Sequence, residues 1–352
     1  MRTGIVEWDK ENFPTGLPCA FIVGVGPISK FGKKRRSSSM TYCLGIDAGG
    51  TKITGVLASP TSVLARAESG SIKITRVSQQ EAAKNLDALL SSLSQQSGIA
   101  LRAIASTCIG LSGNTVPAIE QWTRHALEER LSGQIAVCGD EDIALDGAFR
   151  GEPGVLVIAG TGSNVVGRTP AGEVFHLGGW GPVLSDEGSG YRIGLQAVRA
   201  TLAAMDRGIQ TSLYAKILEQ WHIQSFAELI DLGNRLPGPD FSRLARAVAA
   251  CAAEQDAVAL QVLQEAGTEL GEMALFALKK IQASANATPA CLQLAFTGSI
   301  VSHVAPMRSA LLAVVQREIP HVVVHTESID AALGAVWRAQ QKLVAAESLC
   351  TR

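Results

Sequence analysis

Gly45-Ile46-Asp47-Ala48-Gly49-Gly50-Thr51-Lys52 runs from an apolar strand into a glycine turn, and its pattern returns at Ile158-Ala159-Gly160-Thr161-Gly162-Ser163-Asn164. Apolar runs at 42–47 and 53–58 flank the first turn, and a third, 63–67, follows Ser59-Pro60. The second turn lies between runs at 154–159 and 164–168. Short apolar runs bounded by glycine read as strands joined by tight turns. Two equivalent turns predict a duplicated α/β unit with a cleft between two lobes, a common place for a ligand.

Between the turns, Ser78-Gln79-Gln80-Glu81 is a capping box ahead of Leu86, Leu89, Leu90 and Leu93 at helical spacing. Ile104–Leu111 reads as a buried parallel strand, followed by a helix at 118–131, a strand at 134–138 and a helix at 141–150. Beyond the second turn the chain reads as helical over 187–206, 211–222, 225–235 and 241–285. Late strands at 292–297 and 321–325 are each followed by a helix. The domain reading is 1–39 as a disordered or mis-assigned extension, 40–150 as one lobe and 151–352 as the other. The second lobe carries a helical insertion, and its last helix is free to return to the first.

A glycine turn lets backbone N–H groups converge on an anion, because no Cβ blocks its approach. Thr51, Thr161 and Ser163 add hydroxyls and Lys52 a counter-charge, so Gly49, Gly50, Gly160 and Gly162 are candidate phosphate contacts. Neither turn is a GxxxxGK[ST] loop, and Gly24-Val25-Gly26 lacks the third glycine of a dinucleotide fingerprint. Asp47 ends a strand beside the first turn, where it could hold Mg²⁺ through water or cap the turn. Asp140 ends another strand at the sheet's carboxyl edge, placed for ligand chemistry or for capping the helix after it. Glu141, Asp142 and Asp146 read as dipole partners and a solvated helix face.

The 352 residues carry a net charge of −1, with 5% aromatic residues, which argues against nucleic-acid and anionic-membrane partners. The first 39 residues hold seven Lys/Arg and three acids, leaving −5 for the other 313. Seven scattered cysteines without a CxxC pair read as reduced thiols of a cytoplasmic protein. No apolar run is long enough to span a membrane. The long Ala- and Leu-rich helices serve as core or as a homodimer face, and the sequence leaves both open.

The segment 45–52 resembles the first phosphate motif of the sugar kinase/Hsp70/actin ATPase superfamily, and 158–164 resembles the second. Gly178-Gly179-Trp180-Gly181-Pro182-Val183-Leu184-Ser185-Asp186-Glu187-Gly188-Ser189-Gly190 is similar to the N-acetylglucosamine kinase branch, the BadF/BadG-type ATPase family. Ala295-Phe296-Thr297-Gly298-Ser299 resembles its adenosine motif. The resemblance spans residues 41–340. It implies two ribonuclease H-like, actin-like ATPase lobes with a nucleotide cleft and an ATP- and Mg²⁺-dependent kinase. The implied reaction phosphorylates an amino sugar, N-acetylglucosamine at its 6-hydroxyl, with glucosamine kinase or an activator ATPase as alternatives.

By this resemblance Asp140 is the general base, and Trp180, Gly181 and Asp186 line the sugar pocket. Gly298 and Ser299 meet the adenine or ribose. Trp180 could instead be plain core, and Ser299 a hydroxyl cap. The pattern departs in one loop: where related kinases place an Asn, this chain has Gly70-Ser71-Ile72-Lys73-Ile74-Thr75-Arg76. Lys73 or Arg76 there would suit an anionic substituent. No Cys lies between Cys138 and Cys251, which argues against the cluster-binding activator ATPases.

Overall fold

The computed structural model describes residues 41–113, 116–284 and 292–350. The leader at 1–39, a start at Met40, and Cys19 and Cys291 lie outside the described residues. Strands β1 (Tyr42–Ala48), β2 (Lys52–Ala58) and β3 (Val63–Gly70) pair antiparallel in chain order. Next come α1 (Gln79–Ser97), β4 (Ile104–Leu111), α2 (Pro117–Glu128), β5 (Gln134–Gly139) and α3 (Asp140–Phe149). β4 joins β1 in parallel and β5 joins β4, giving the order β3-β2-β1-β4-β5.

The same plan then repeats. β6 (Gly154–Ala159), β7 (Ser163–Arg168) and β8 (Val174–Gly178) form an antiparallel set. Five helices follow: α4 (Gly190–Asp206), α5 (Leu213–Trp221), α6 (Phe226–Gly233), α7 (Ala245–Ala253) and α8 (Ala257–Ser284). β9 (Gln293–Thr297), α9 (Ser299–His303), α10 (Ala305–Glu318), β10 (Val323–His325) and α11 (Ala331–Cys350) complete the chain. The second sheet runs β10-β9-β6-β7-β8, which read backwards has the connectivity of the first. The expected duplication is present.

α1 starts where the capping box places it, with Ser78 accepting from Glu81 N, and stops at Gly98 in the left-handed region. Its buried Leu86, Leu89, Leu90 and Leu93 cover β2 and β3. α11 covers β1, β2 and β4. It can lie that close because position 45 is glycine: a Cβ there would stand 2.3 Å from Ala332 O. Across the second sheet, Val155, Val157 and Val165 pack with Ile193, Leu263 and Leu270 of the helices.

Several boundaries differ from expectation. The helix expected over 241–285 is broken: a 3-10 turn, Phe241–Leu244, precedes α7, and the chain turns at Gln255 with φ 65° before α8. Asp256 caps α8 by accepting from Val258 N and Ala259 N, both at 3.0 Å. β8 was not expected, and the strand expected at 321–325 shrinks to three residues. α4 begins at Gly190 on a Ser189 cap, later than the start at 187 read from sequence. Among the described residues no helix is long and apolar enough to cross a membrane.

Candidate active site

Both glycine turns sit at carboxyl ends of strands, and the ends of the two sheets meet over a cavity of about 570 Å³. β1 contributes Asp47, and the end of β4 leads into Ser112 and Gly113. α3 gives Asp140, Glu141 and Ala144; β7 gives Ser163 and Asn164. Gly162, Gly179, Gly181, Asp186 and Thr297 line the facing side. The cavity therefore gathers carboxylates from both halves of the chain and no Lys or Arg.

Asp47 is half-buried in β1, between Thr54 of β2 and Gly110 of β4. Burial pushes its pKa up to about 6, and the charges of Asp140 and Asp330 add to the rise against Lys52 and Arg66. Among the described residues Asp47 has no ion-pair partner of its own, and no three metal-ligating side chains cluster together. Lys52 turns outward instead, its Nζ 2.7 Å from Glu68 Oε1.

Asp140 is the first residue of α3, not its cap. Gly139 holds the cap position, with its N–H donating to Asp142 Oδ2 at 3.1 Å. Asp140 thus keeps its carboxylate at the helix N-terminus, where the dipole favours negative charge. Glu141 lines the cavity beside it, which corrects its reading as solvated. Burial, then a hydrogen bond with Asp140, raises the Glu141 pKa. His176 Nδ1 stands 3.9 Å from Glu141 Oε1.

On the facing side, the second turn is closed by Gly160 N donating to Gly162 O at 2.9 Å. α4 is anchored to it, since Gly190 N and Tyr191 N donate to the carbonyls of Gly160 and Thr161. Ser163 lines the cavity but its hydroxyl donates to Glu187 O at 2.7 Å, fastening the Asp186 loop to the turn. Asp186 is buried at φ 67°, and burial raises its pKa against an N–H bond from Gly181. An aspartate held in the left-handed region marks a loop set by its surroundings. Asn164 Oδ1 is buried with no partner, an acceptor at the cavity wall lacking a donor.

Of the residues singled out by sequence, Asp47, Asp140, Gly162, Ser163, Gly181 and Asp186 converge on the cavity. Gly49, Gly50, Thr51 and Lys52 form the turn next to Asp47, and Gly160 and Thr161 the turn next to Gly162. Trp180 is 74% exposed between two lining glycines, so it is not core. Gly298 and Ser299 follow the lining Thr297. Gly298 has φ 101°, and a Cβ there would lie 2.3 Å from Ala159 O, so only glycine fits. Sequence reasoning missed Ser112 and Gly113 as lining residues; the Ser-Gly pair ending a buried strand was the signal for them.

A model of the BadF/BadG/BcrA/BcrD ATPase family matches residues 44–339. The N-acetylmuramic acid/N-acetylglucosamine kinase of Clostridium acetobutylicum is 28% identical over 306 residues, covering 84% of this chain and 97% of that protein. The N-acetyl-D-glucosamine kinase of Dictyostelium discoideum is 25% identical over 310 residues, covering 83% and 95%. A solved protein of Chromobacterium violaceum, provisionally named an N-acetylglucosamine kinase, superposes with TM-score 0.63 at 26% identity, covering 85% and 98%.

Proposed function

Because this chain belongs to the BadF/BadG/BcrA/BcrD ATPase family, we propose that it is an ATP-dependent amino-sugar kinase that phosphorylates N-acetylglucosamine at its 6-hydroxyl. The observation that carries the reading is the convergence of Asp140, Asp47 and the second glycine turn on one cavity between the sheets. The kinases of similar sequence act on amino sugars by name.

Phosphoryl transfer to an alcohol needs alignment, neutralisation of phosphate charge and a group that accepts the hydroxyl proton. Asp140 takes the proton: the sugar oxygen bonds to the γ-phosphorus, the bond to the β-phosphate oxygen breaks, and ADP leaves. The two glycine turns hold the phosphates through their N–H groups. Asn164 Oδ1, buried without a donor, suits a sugar hydroxyl. Asp186 bonds other hydroxyls from the opposite wall. Gly298 and Ser299 meet the nucleoside.

The residues fit Mg²⁺, which takes oxygen ligands and keeps several waters rather than seeking a dedicated protein cage. Asp47, half-buried among acids and without a cationic partner, would hold it through water. When bound, the ion neutralises charge on the phosphate oxygens. Trp180, Val183 and Leu184 stand exposed beside the cavity and supply apolar surface to close over a pyranose ring. A panel of acetylated and free amino sugars, assayed by coupled ADP release, tests the proposal. Absence of hexosamine-dependent ADP release would end it.

A further inference from the structure

We propose that Lys73 reads a carboxylate on the acceptor, so the preferred substrate is an amino sugar bearing an acidic ring substituent. This rests on the kinase reading above and names the substrate class of that site. The observation is one of charge placement. All charged residues lining the cavity are acidic: Asp47, Asp140, Glu141 and Asp186. An anionic acceptor would be repelled from most of its wall.

Lys73 supplies the exception. It lies in the loop after β3, and that loop is pinned at its start, where Ser71 is held from two sides. Ser71 Oγ donates to Gly50 O at 3.1 Å, and Asn85 Nδ2 donates to Ser71 O at 2.8 Å. From there the half-buried Lys73 reaches the end of β4, with Nζ 3.3 Å from Ser112 Oγ. A Cβ on Gly113 would sit 3.5 Å from that nitrogen. Ser112 and Gly113 both line the cavity with Asp140, so the ammonium stands at the acceptor end.

Among the described residues Lys73 has no carboxylate within ion-pair distance, although acidic groups crowd the cavity that Ser112 and Gly113 separate it from. Ser112 uses one of its three donors, and two remain for a ligand. Arg76 does not compete for this role: its Nη1 faces Gly50 O at 3.4 Å, over the first glycine turn. A carboxylate meeting Lys73 gains a charge-assisted hydrogen bond in a partly dry site, whereas the free ammonium of glucosamine is disfavoured there.

The probes are N-acetylmuramic acid, which carries a lactyl carboxylate, N-acetylglucosamine and glucosamine. With the full-length chain, kcat/KM is expected to be highest for N-acetylmuramic acid and lowest for glucosamine. In Lys73→Met the ratio of kcat/KM for N-acetylmuramic acid over N-acetylglucosamine should fall by about tenfold or more, mainly through KM. Lys73→Arg should retain most of that ratio. Calorimetric binding of each sugar without nucleotide should show the same loss. An unchanged ratio, or no turnover of N-acetylmuramic acid beside good turnover of N-acetylglucosamine, overturns this inference while leaving the kinase reading intact. If no sugar is phosphorylated or bound, the kinase reading fails first and this one with it.

Discussion

Replacing Asp146 should unsettle the join between the halves of the molecule. Its side chain has no exposed surface, and each carboxylate oxygen takes one guanidinium. Oδ1 accepts from Arg168 Nη2 of β7 and Oδ2 from Arg338 Nε of α11, both at 2.5 Å. Burial alone would lower the Arg338 pKa, but the bond to Asp146 and its charge, with smaller contributions from Cys138 and Asp142, together outweigh it and the net shift is upward. Asp146→Asn removes the anion that the two cations share, leaving Arg338 with Asp142 Oδ1 at 3.9 Å and Arg168 with no ion pair among the described residues. Stripping a partner from a buried ion pair costs about 3–5 kcal/mol. Arg338 keeps 23% of its side chain exposed and can regain water, whereas Arg168 keeps 6%. The lower end, about 3 kcal/mol, therefore applies. With an unfolding entropy of about 2 cal/mol/K per residue over roughly 300 ordered residues, that is a fall in Tm of about 5 °C. Circular dichroism melts of Asp146→Asn, Arg168→Met and the double variant Asp146→Asn/Arg168→Met provide the assay. The double variant should lose less than the two single changes combined, because it leaves fewer unpaired charges. A melt of Asp146→Asn within 1 °C of the parent, or strict additivity, would refute the reasoning.

Other outcomes are expected from the cavity. Asp140→Asn should lower turnover by about 10²–10⁴-fold while nucleotide affinity holds within about threefold, read by ADP release and equilibrium binding; near-normal turnover removes Asp140 from the base role. Gly298→Ala, which places a methyl 2.3 Å from Ala159 O at φ 101°, should destabilise by more than about 1 kcal/mol and weaken nucleotide binding; an unshifted melt would contradict this. Asp47 holds its proton up to about pH 6 when folded but releases it near 3.8 when unfolded, so its contribution makes stability fall as pH rises between those values. Asp47→Asn should flatten that slope in urea midpoints measured from about pH 4 to 7, and an unchanged slope counts against the burial of its charge. Saturating sugar should shift the fluorescence of the exposed Trp180, and Trp180→Phe should abolish the change.

The glycine turns and the strands around them were legible because a β-turn is decided by a few adjacent residues. The capping box placed α1 for the same reason. What the sequence hid depends on distant partners. Asp146 reads as an acid on a helix surface until Arg168 and Arg338, 22 and 192 positions away, close on it. Glu141 reads as a first-turn acid, and only the meeting of the two sheets makes it a cavity wall. The break between α7 and α8 carries neither glycine nor proline: Glu254-Gln255-Asp256 makes the turn inside an Ala-rich stretch that looks helical throughout. Lys73 was visible as a departure from a familiar pattern, but its bond to Ser112 spans 39 positions and its place at the acceptor end came only from the fold.

The return of α11 onto β1, β2 and β4 also orders the protein's birth. The strands of the first sheet leave the ribosome early, yet Gly45, Val56 and Ala58 meet Ala332 and Val336 only when nearly everything else has been made. The first lobe is thus the first to be synthesised and the last to be covered. During translation its open apolar face is the part a chaperone would have to guard.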